Sequence, residues 1–356
     1  MLKIKDQLEF YPAEKGLVHV YDASSARHFK LGAQEVGWLK LLDGTRSADQ
    51  LVGLIPFEYF QRFLGTVERL GLLDQPVAAS KPPFNPLKIK IAKFDPGRLL
   101  DGNLKFARLY RHALNWMSLP LFLLNLAAII LLFPQIRDAI QDFHFSLAIV
   151  PAYLLTIFVV GLAHEYSHAL VATSFGAKVP RIGFMLFFLQ PAFYADVSAI
   201  NLFSDRKSRV QTLLAGIQAN NILAFFGIIA ALCTFQTAAF PYLVFFVAMN
   251  IMLMFINLVP FVEYDGYYIF QDLIAEPRFN RNAFVGTLTR SSGNIEHLLY
   301  FVLSQMYQLS LIISGLLLLR LGVNQVFPGR IVDVAFLILI IAAAPALTVS
   351  RLRTMK

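Results

Sequence analysis

The sequence has little charge, one cysteine and no apolar segment at its start. Charged residues make up 15% of its 356 residues, against about 25% in a soluble domain, while hydrophobic residues reach 57%. The single Cys233 excludes a secreted scaffold built on disulfides. Residues 1–10 contain no signal-peptide core, so the N-terminal part is expected to stay in the cytoplasm. The composition predicts a chain solvated largely by lipid and excludes fibrous and disordered classes.

The few charges are unevenly distributed along the chain. Residues 1–114 carry 17 Lys+Arg and 12 Asp+Glu, and residues 115–356 carry the other 14 and 11. The first share is ordinary for a soluble domain, whereas the second fits a membrane domain. Residues 1–75 contain 9 basic and 10 acidic residues, so no nucleic-acid partner is expected despite the net charge of +8.

Six apolar segments have about the 20-residue length that crosses a bilayer. They are residues 115–133, 146–172, 210–233, 240–259, 297–319 and 331–349. A shorter run, Ile182–Tyr194, is interrupted by Gly183, Gln190 and Pro191 and predicts a re-entrant or interfacial hairpin. If the N-terminus is cytoplasmic, 28 of the 31 Lys and Arg lie on that side. Both termini are therefore expected on the cytoplasmic side of the inner membrane.

The first 75 residues predict a small winged-helix-like α+β domain. Ser47 and Gln50 form a capping box that opens a short helix, and Gly71 ends the helix after it. The predicted strands are Leu8–Tyr11 and Gly16–Tyr21, and the outer predicted helices are Ala33–Leu42 and Phe57–Leu70.

Residues 76–114 are predicted to join this domain to the membrane part. The stretch 75–86 is proline-rich and mostly polar or small, as in a linker. Lys88–Arg111 is basic and partly amphipathic, so we expect it to lie on the cytoplasmic membrane surface. Residues 115–356 then form the six-span domain.

The strongest chemical signal is the run Gly161–His168. His164 and His168 are four residues apart, so on a helix they share a face and can bind one zinc ion. Glu165, beside a ligand, can take a proton from a water molecule that the metal polarises. From the chain's own composition, chance would give roughly 0.003 copies of this pattern. Ionisable groups within a membrane span are also usually functional.

A catalytic zinc site of this type needs a third protein ligand. Asp265 and Glu263 are the candidates, because both follow the cytoplasmic end of the fourth predicted span. Pro260 predicts a helix break, and Gly266 allows a close turn. Asn257 could hydrogen-bond a substrate carbonyl or a developing oxyanion, or could simply pack between helices.

These two motifs together resemble the site-2 protease family of intramembrane zinc metalloproteases. The likeness rests on the pattern His164-Glu-x-x-His168 and on Asn257-x-x-Pro-x-x-x-x-Asp265-Gly, and it covers roughly residues 115–350. It implies that His164, His168 and Asp265 bind Zn²⁺, that Glu165 is the catalytic base and that Asn257 holds substrate. The PDZ-like insertion of members that cut stress-response regulators is absent.

The family resemblance also implies an edge-like element at Tyr194–Ser198 that pairs with an unwound substrate by strand addition. Asp196 in this segment either contacts the site or is a surface acid, and the surface reading is favoured. Gly216, Asn220 and Asn221 are interpreted mainly as helix-packing residues.

The N-terminal domain resembles the peptide-recognition element of enzymes that mature ribosomally made, modified peptides (RiPPs), a PqqD-like fold. The likeness rests on Leu41-Leu-Asp-Gly-Thr-Arg-Ser47 between strands and a helix, and it covers residues 8–74. It implies that a leader peptide binds as an added strand beside a helix.

The sequence therefore predicts a membrane-embedded zinc endopeptidase that cuts near the cytoplasmic membrane face. The favoured substrate is a ribosomally made peptide precursor, which is processed by removal of a leader or by release of a modified core. Two alternatives stay open. The first is a regulatory protease that cleaves membrane-anchored regulators, and the second is an inactive homologue that serves as an export or immunity partner of a peptide.

Overall fold

The computed structural model describes residues 2–12, 16–22, 27–74, 88–97, 100, 102–141, 149–187, 190–203, 205–276, 279–288, 295–326 and 329–355. The chain forms two compact units, Met1–Ile251 and Met252–Lys356. The predicted linker 75–86 lies outside the described residues.

The first unit begins with a small sheet covered by three helices. The antiparallel strands are β1 (Leu8–Pro12), β2 (Leu17–Asp22) and β3 (Arg27–Gly32), in the order β1-β2-β3. The helices are α1 (Ala33–Leu41), α2 (Ala48–Val52) and α3 (Phe57–Leu70). Both hydrogen bonds of the predicted capping box form, and Gly71 ends α3 with φ of 70°.

An apolar core holds this domain together. Its fully buried side chains come from β2, all three helices and the segment after α3: Val20, Leu39, Leu51, Phe60, Val67, Leu72 and Leu73. The helical spacing of Phe60, Phe63 and Val67 brings one face of α3 onto that core, as the sequence predicts. Strand β3 is added to the two predicted strands. The small N-terminal sheet domain is confirmed, whereas its peptide-binding role stays a prediction.

A second sheet joins a strand that follows the predicted linker to the β-hairpin of residues 182–195. It contains β4 (Lys88–Phe94), β5 (Ile182–Phe187) and β6 (Gln190–Ala195), all antiparallel, with β5 in the centre. Strands β5 and β6 form the hairpin predicted for Ile182–Tyr194. The sequence predicts Lys88–Arg111 as one surface segment and gives no sign of β4. That strand is specified by pairing with β5, which lies about 90 residues away along the chain.

Five helices complete the first unit. They are α4 (Leu104–Leu131), α5 (Phe133–Gln141), α6 (Ile149–Ser174), α7 (Arg206–Cys233) and most of α8 (Phe240–Leu258). Helices α4, α6 and α7 pack against one another, and α6 also packs against β6. Asp205 caps α7 by accepting hydrogen bonds from the N–H groups of Lys207 and Ser208.

Amide side chains join α4 to α7. Asn125 Nδ2 donates to both the backbone oxygen and Oδ1 of Asn221 at 2.9 Å, and Asn221 Nδ2 donates to the Ser118 oxygen at 2.7 Å. Asn221 therefore packs against α4, which confirms the helix-packing interpretation for this residue.

The second unit contains the end of α8 and four more helices. They are α9 (Asp265–Ile274), α10 (Phe279–Leu288), α11 (Ile295–Val326) and α12 (Arg330–Met355). Helix α8 ends at Leu258, two residues before Pro260, as the sequence predicts.

The connection after α8 is held by one face of α11. Tyr300 Oη donates to the Pro260 oxygen at 2.9 Å. Ser304 Oγ and Gln308 Nε2 each donate to the Phe261 oxygen at 2.8 Å. These three donors are spaced four residues apart, so they share a face and satisfy carbonyls that the helix break leaves free.

Five helices are long and apolar enough to cross a membrane among the residues described: Leu104–Leu131, Val150–Ser174, Arg206–Cys233, Phe240–Leu258 and Ile295–Ser314. They coincide with the first five predicted spans, although the first helix begins 11 residues earlier than its predicted span. The sixth predicted span lies within α12, where the apolar stretch Val332–Ala342 is shorter. The count of six and the cytoplasmic placement of both termini remain predictions.

The N-terminal sheet contacts the segment that leads into β5. Lys178 Nζ lies 2.8 Å from Glu9 Oε1, and this ion pair, together with a hydrogen bond from Tyr11, lowers the pKa of Glu9. The pKa of Tyr21 on β2 is raised, first by burial and then by the negative charge of Asp196. Strands β1 and β2 therefore border the open end of the β5–β6 hairpin.

Candidate metal and peptidase site

The two histidines of the first motif converge on a single point. His164 and His168 lie one turn apart on α6, and both are buried. Their Nε2 atoms are 3.1 Å apart. Two nitrogens on one tetrahedral zinc ion, each at 2.0–2.1 Å, would be about 3.3 Å apart. The spacing of the two ring nitrogens thus suits a shared metal.

Helix α7 fixes the orientation of the His168 ring. His168 Nδ1 lies 2.7 Å from the backbone oxygen of Thr212. A carbonyl oxygen only accepts hydrogen bonds, so Nδ1 carries the proton and Nε2 keeps its lone pair available for a metal. Metal-binding histidines usually have such a partner on their other nitrogen.

Gly216 on α7 leaves room for both rings. A Cβ atom added at Gly216 would lie 2.5 Å from Nε2 of His164 and 2.5 Å from Nε2 of His168. Any larger residue would therefore displace the two donor atoms. The close packing proposed for Gly216 against the motif helix is confirmed.

The Glu165 carboxylate is held by the end of β6. Its Oε2 accepts a hydrogen bond from the Ala195 N–H at 2.7 Å. Glu165 is partly buried and follows His164 directly on α6. A carboxylate held beside a metal site can accept and return a proton.

Asp196, next to Ala195, makes an ion pair that closes the hairpin. Arg181 Nε donates to Asp196 Oδ2 at 2.9 Å, and Ser198 Oγ donates to Oδ1 at 2.6 Å. The Asp196 N–H also donates to the Arg181 backbone oxygen at 2.9 Å. The favoured reading of Asp196 as a surface acid is therefore wrong, because its side chain is 18% exposed and bonded at both oxygens.

In the second unit, the motif that runs from Asn257 to Gly266 forms the short connection between α8 and α9. Asp265 is the first residue of α9. A Cβ at Gly266 would lie 2.2 Å from the Leu258 oxygen, so only glycine allows this approach. Asn257 Nδ2 donates to the Leu253 oxygen at 3.0 Å, which leaves its second N–H available as a donor.

Glu263, the competing acid, has a different partner. Its Oε1 accepts a hydrogen bond from Asn280 Nδ2 at 3.0 Å, on helix α10. The backbone N–H of Asn280 also donates a hydrogen bond to the Tyr267 hydroxyl oxygen at 3.2 Å. Glu263 therefore takes part in the packing of α9 against α10.

Among the residues described, His164 and His168 in the first unit each offer one ring nitrogen, and Asp265 in the second unit offers a carboxylate oxygen. Two imidazoles and one carboxylate form a donor set that zinc accepts, with a fourth position left open. The cradle at Gly216 and the locked Nδ1–H of His168 are consistent with that fit.

The sequence did not reveal the supports of this site. Thr212 and Ala195 act through backbone atoms, which leave no side-chain signature, although the interrupted apolar run did mark the hairpin. Two other histidines lie away from this motif: His19 is buried on β2, and His297 Nε2 lies 3.3 Å from Glu276 Oε2. Both positions suit structural residues.

Comparison with known proteins gives one distant relative. Over 159 residues the chain is 26% identical to "Putative zinc metalloprotease YwhC" of Bacillus subtilis (strain 168), covering 37% of this chain and 73% of that protein. No protein-family model matches the chain, and no solved structure matches it. This similarity is distant, and it supports a membrane protease without specifying a substrate.

Proposed function

We propose that this protein is a membrane-embedded zinc endopeptidase of the site-2 protease type. The observation that carries the proposal is the pair of His164 and His168 Nε2 atoms 3.1 Å apart, with Glu165 next to the first histidine. The similarity to a protein named as a zinc metalloprotease supports the same chemistry. Five helices of membrane-spanning length support a site embedded in a bilayer.

The proposed reaction is hydrolysis of a peptide bond by water. Zinc, when bound, would supply a Lewis acid that polarises the attacking water and the scissile carbonyl. Glu165 accepts the proton of that water and then delivers it to the leaving amine. Ala195 N–H fixes the carboxylate during this transfer. The second N–H of Asn257 is the candidate donor to substrate.

The identity of the third ligand gives the first test. We expect Asp265→Asn to lower zinc retention strongly, because an amide oxygen is neutral and a weaker ligand than a carboxylate. Glu263→Gln should leave zinc content near one ion per chain, because Glu263 is bonded to Asn280. The measurement is metal content of full-length protein after dialysis against a weak chelator. Equal zinc loss in both variants would contradict this assignment.

We further propose that the N-terminal domain selects the substrate by binding the leader of a ribosomally made peptide precursor. β3 is an edge strand, so it offers backbone groups to an added strand. Trp38 on α1 lies 6.2 Å from Tyr59 and 5.5 Å from Phe63 on α3, between ring centroids. The domain also contacts the segment before β5 through Glu9 and Lys178. Leader binding would thus place a substrate near the hairpin.

Trp38 offers a direct reporter for leader binding. In a Trp116→Phe background, where Trp38 is the remaining tryptophan, a precursor peptide encoded beside the gene should produce a saturable change in fluorescence. The same peptide without its leader should produce none and should be cut less efficiently. Efficient cleavage of the leaderless peptide would exclude leader recognition. Cleavage of a membrane-anchored helix instead would favour the regulatory alternative.

A further inference from the structure

The hydrogen bond that holds the candidate base comes from a backbone group at a strand end. Ala195 is the last residue of β6 and pairs with the fully buried Ile182 at the start of β5. Its N–H is directed to Glu165 Oε2 at 2.7 Å. The position of this N–H depends on how the end of the hairpin is fixed, because a strand end frays unless it is bonded.

Asp196 and Arg181 fix that end by three separate bonds. Backbone joins backbone through the Asp196 N–H and the Arg181 oxygen at 2.9 Å, and side chain joins side chain at the same distance. Ser198 Oγ donates to the second carboxylate oxygen at 2.6 Å. Each residue lies directly outside the terminal pair Ile182 and Ala195. The bonds therefore act at the residue adjacent to the Ala195 N–H.

We infer that Asp196 and Arg181 are positioning residues that hold the Ala195 N–H, and through it the Glu165 carboxylate, in place for proton transfer. This inference rests on the proposed function, in which Glu165 is the base. Asp196 makes its bonds to Arg181 and Ser198, so its effect reaches Glu165 through Ala195. The pair is 18% and 30% exposed, so solvent screens it less than a fully exposed pair.

The first readout is amide exchange at Ala195, which needs neither metal nor substrate. Hydrogen–deuterium exchange of the full-length, metal-free protein in detergent should show a protected amide within Tyr194–Val197. We expect Asp196→Ala to speed exchange there by about tenfold or more. Arg181→Gln should act in the same direction but less, because the backbone bond and the Ser198 bond remain. Glu165→Ala removes the acceptor and should also speed exchange at Ala195.

The second readout is hydrolysis of fluorescein-labelled β-casein, an unfolded probe. A misplacement of about 1 Å in a catalytic group lowers rates by about 100-fold, so Asp196→Ala should lower kcat by about tenfold to 100-fold. KM and zinc content should stay within about twofold of the parent. Asp196→Asn, which keeps one oxygen acceptor, should recover part of the rate. Asp138→Asn, in an exposed Arg–Asp pair at 2.9 Å, is the matched control and should equal the parent.

Two results would overturn the inference. One is unchanged Ala195 exchange in both Asp196→Ala and Arg181→Gln. The other is faster exchange across all of β4, β5 and β6 with loss of zinc, since that indicates a general structural role. A Glu165→Gln protein that still cuts casein would instead overturn the proposed function, whatever the exchange experiment gives.

Discussion

Glu165→Gln is expected to retain zinc and to lose peptide hydrolysis almost completely. Glutamine has nearly the same shape, and its amide oxygen can still accept the hydrogen bond from Ala195 at the position where Oε2 accepts it at 2.7 Å. It cannot accept a proton from water near neutral pH. General acid–base catalysis contributes about 100-fold to 10,000-fold, equivalent to about 3–5 kcal/mol of activation free energy.

The experiment compares zinc content and initial rate for the parent, Glu165→Gln and His164→Ala. His164→Ala should lose zinc and activity together, because it removes a candidate ligand. Glu165→Gln should separate the two, with zinc kept and kcat lowered. If Glu165→Gln retained the parental rate, the role of Glu165 as base would be wrong. If it lost zinc as His164→Ala does, Glu165 would belong to the ligand set.

The sequence predicts local elements of the fold better than distant pairings. The capping box at Ser47, the stop at Gly71 and the helix end before Pro260 all depend on short-range rules, and all three are present. Strand β4 depends on a partner about 90 residues further along the chain. No pattern within Lys88–Arg111 identifies that partner, so the segment was interpreted as one surface stretch.

The candidate site likewise contains residues that the sequence predicts and groups that it does not. His164, Glu165 and His168 could be identified because their residue types and spacing carry chemistry on a helix. The choice between Asp265 and Glu263 rests on the family resemblance, since both acids follow the same helix end. The Ala195 N–H and the Thr212 oxygen were not predictable, because every residue has such groups and only packing selects one. The side-chain pair of Asp196 with Arg181 joins residues outside both ends of the hairpin, so it also depends on packing.

Gly216→Ala is expected to weaken zinc binding without weakening the helix that carries it. Alanine is favoured over glycine inside a helix by about 0.5–1 kcal/mol, so the substitution alone should stabilise α7. Its Cβ would lie 2.5 Å from Nε2 of both His164 and His168, so the two rings must move apart or rotate. The His168 ring is held by Thr212, so rotation also breaks that hydrogen bond. The substitution therefore displaces the Nε2 atoms of His164 and His168, which are the candidate metal donors.

We expect Gly216→Ala to lower zinc affinity by at least about tenfold to 100-fold, the range seen when supports of metal ligands are altered. The measurement is competition with a chelator of known affinity, with the Tm of the metal-free protein recorded in parallel. Gly227→Ala on the same helix is the matched control. Its Cβ would meet Val247 Cγ2 at 2.8 Å and the Phe246 ring at 3.0 Å, which are apolar side chains. That variant should lower Tm slightly and leave zinc affinity unchanged. Parental zinc affinity in Gly216→Ala would mean that the two imidazoles do not share a metal at this position, because a shared ion could not tolerate the displacement of both nitrogens.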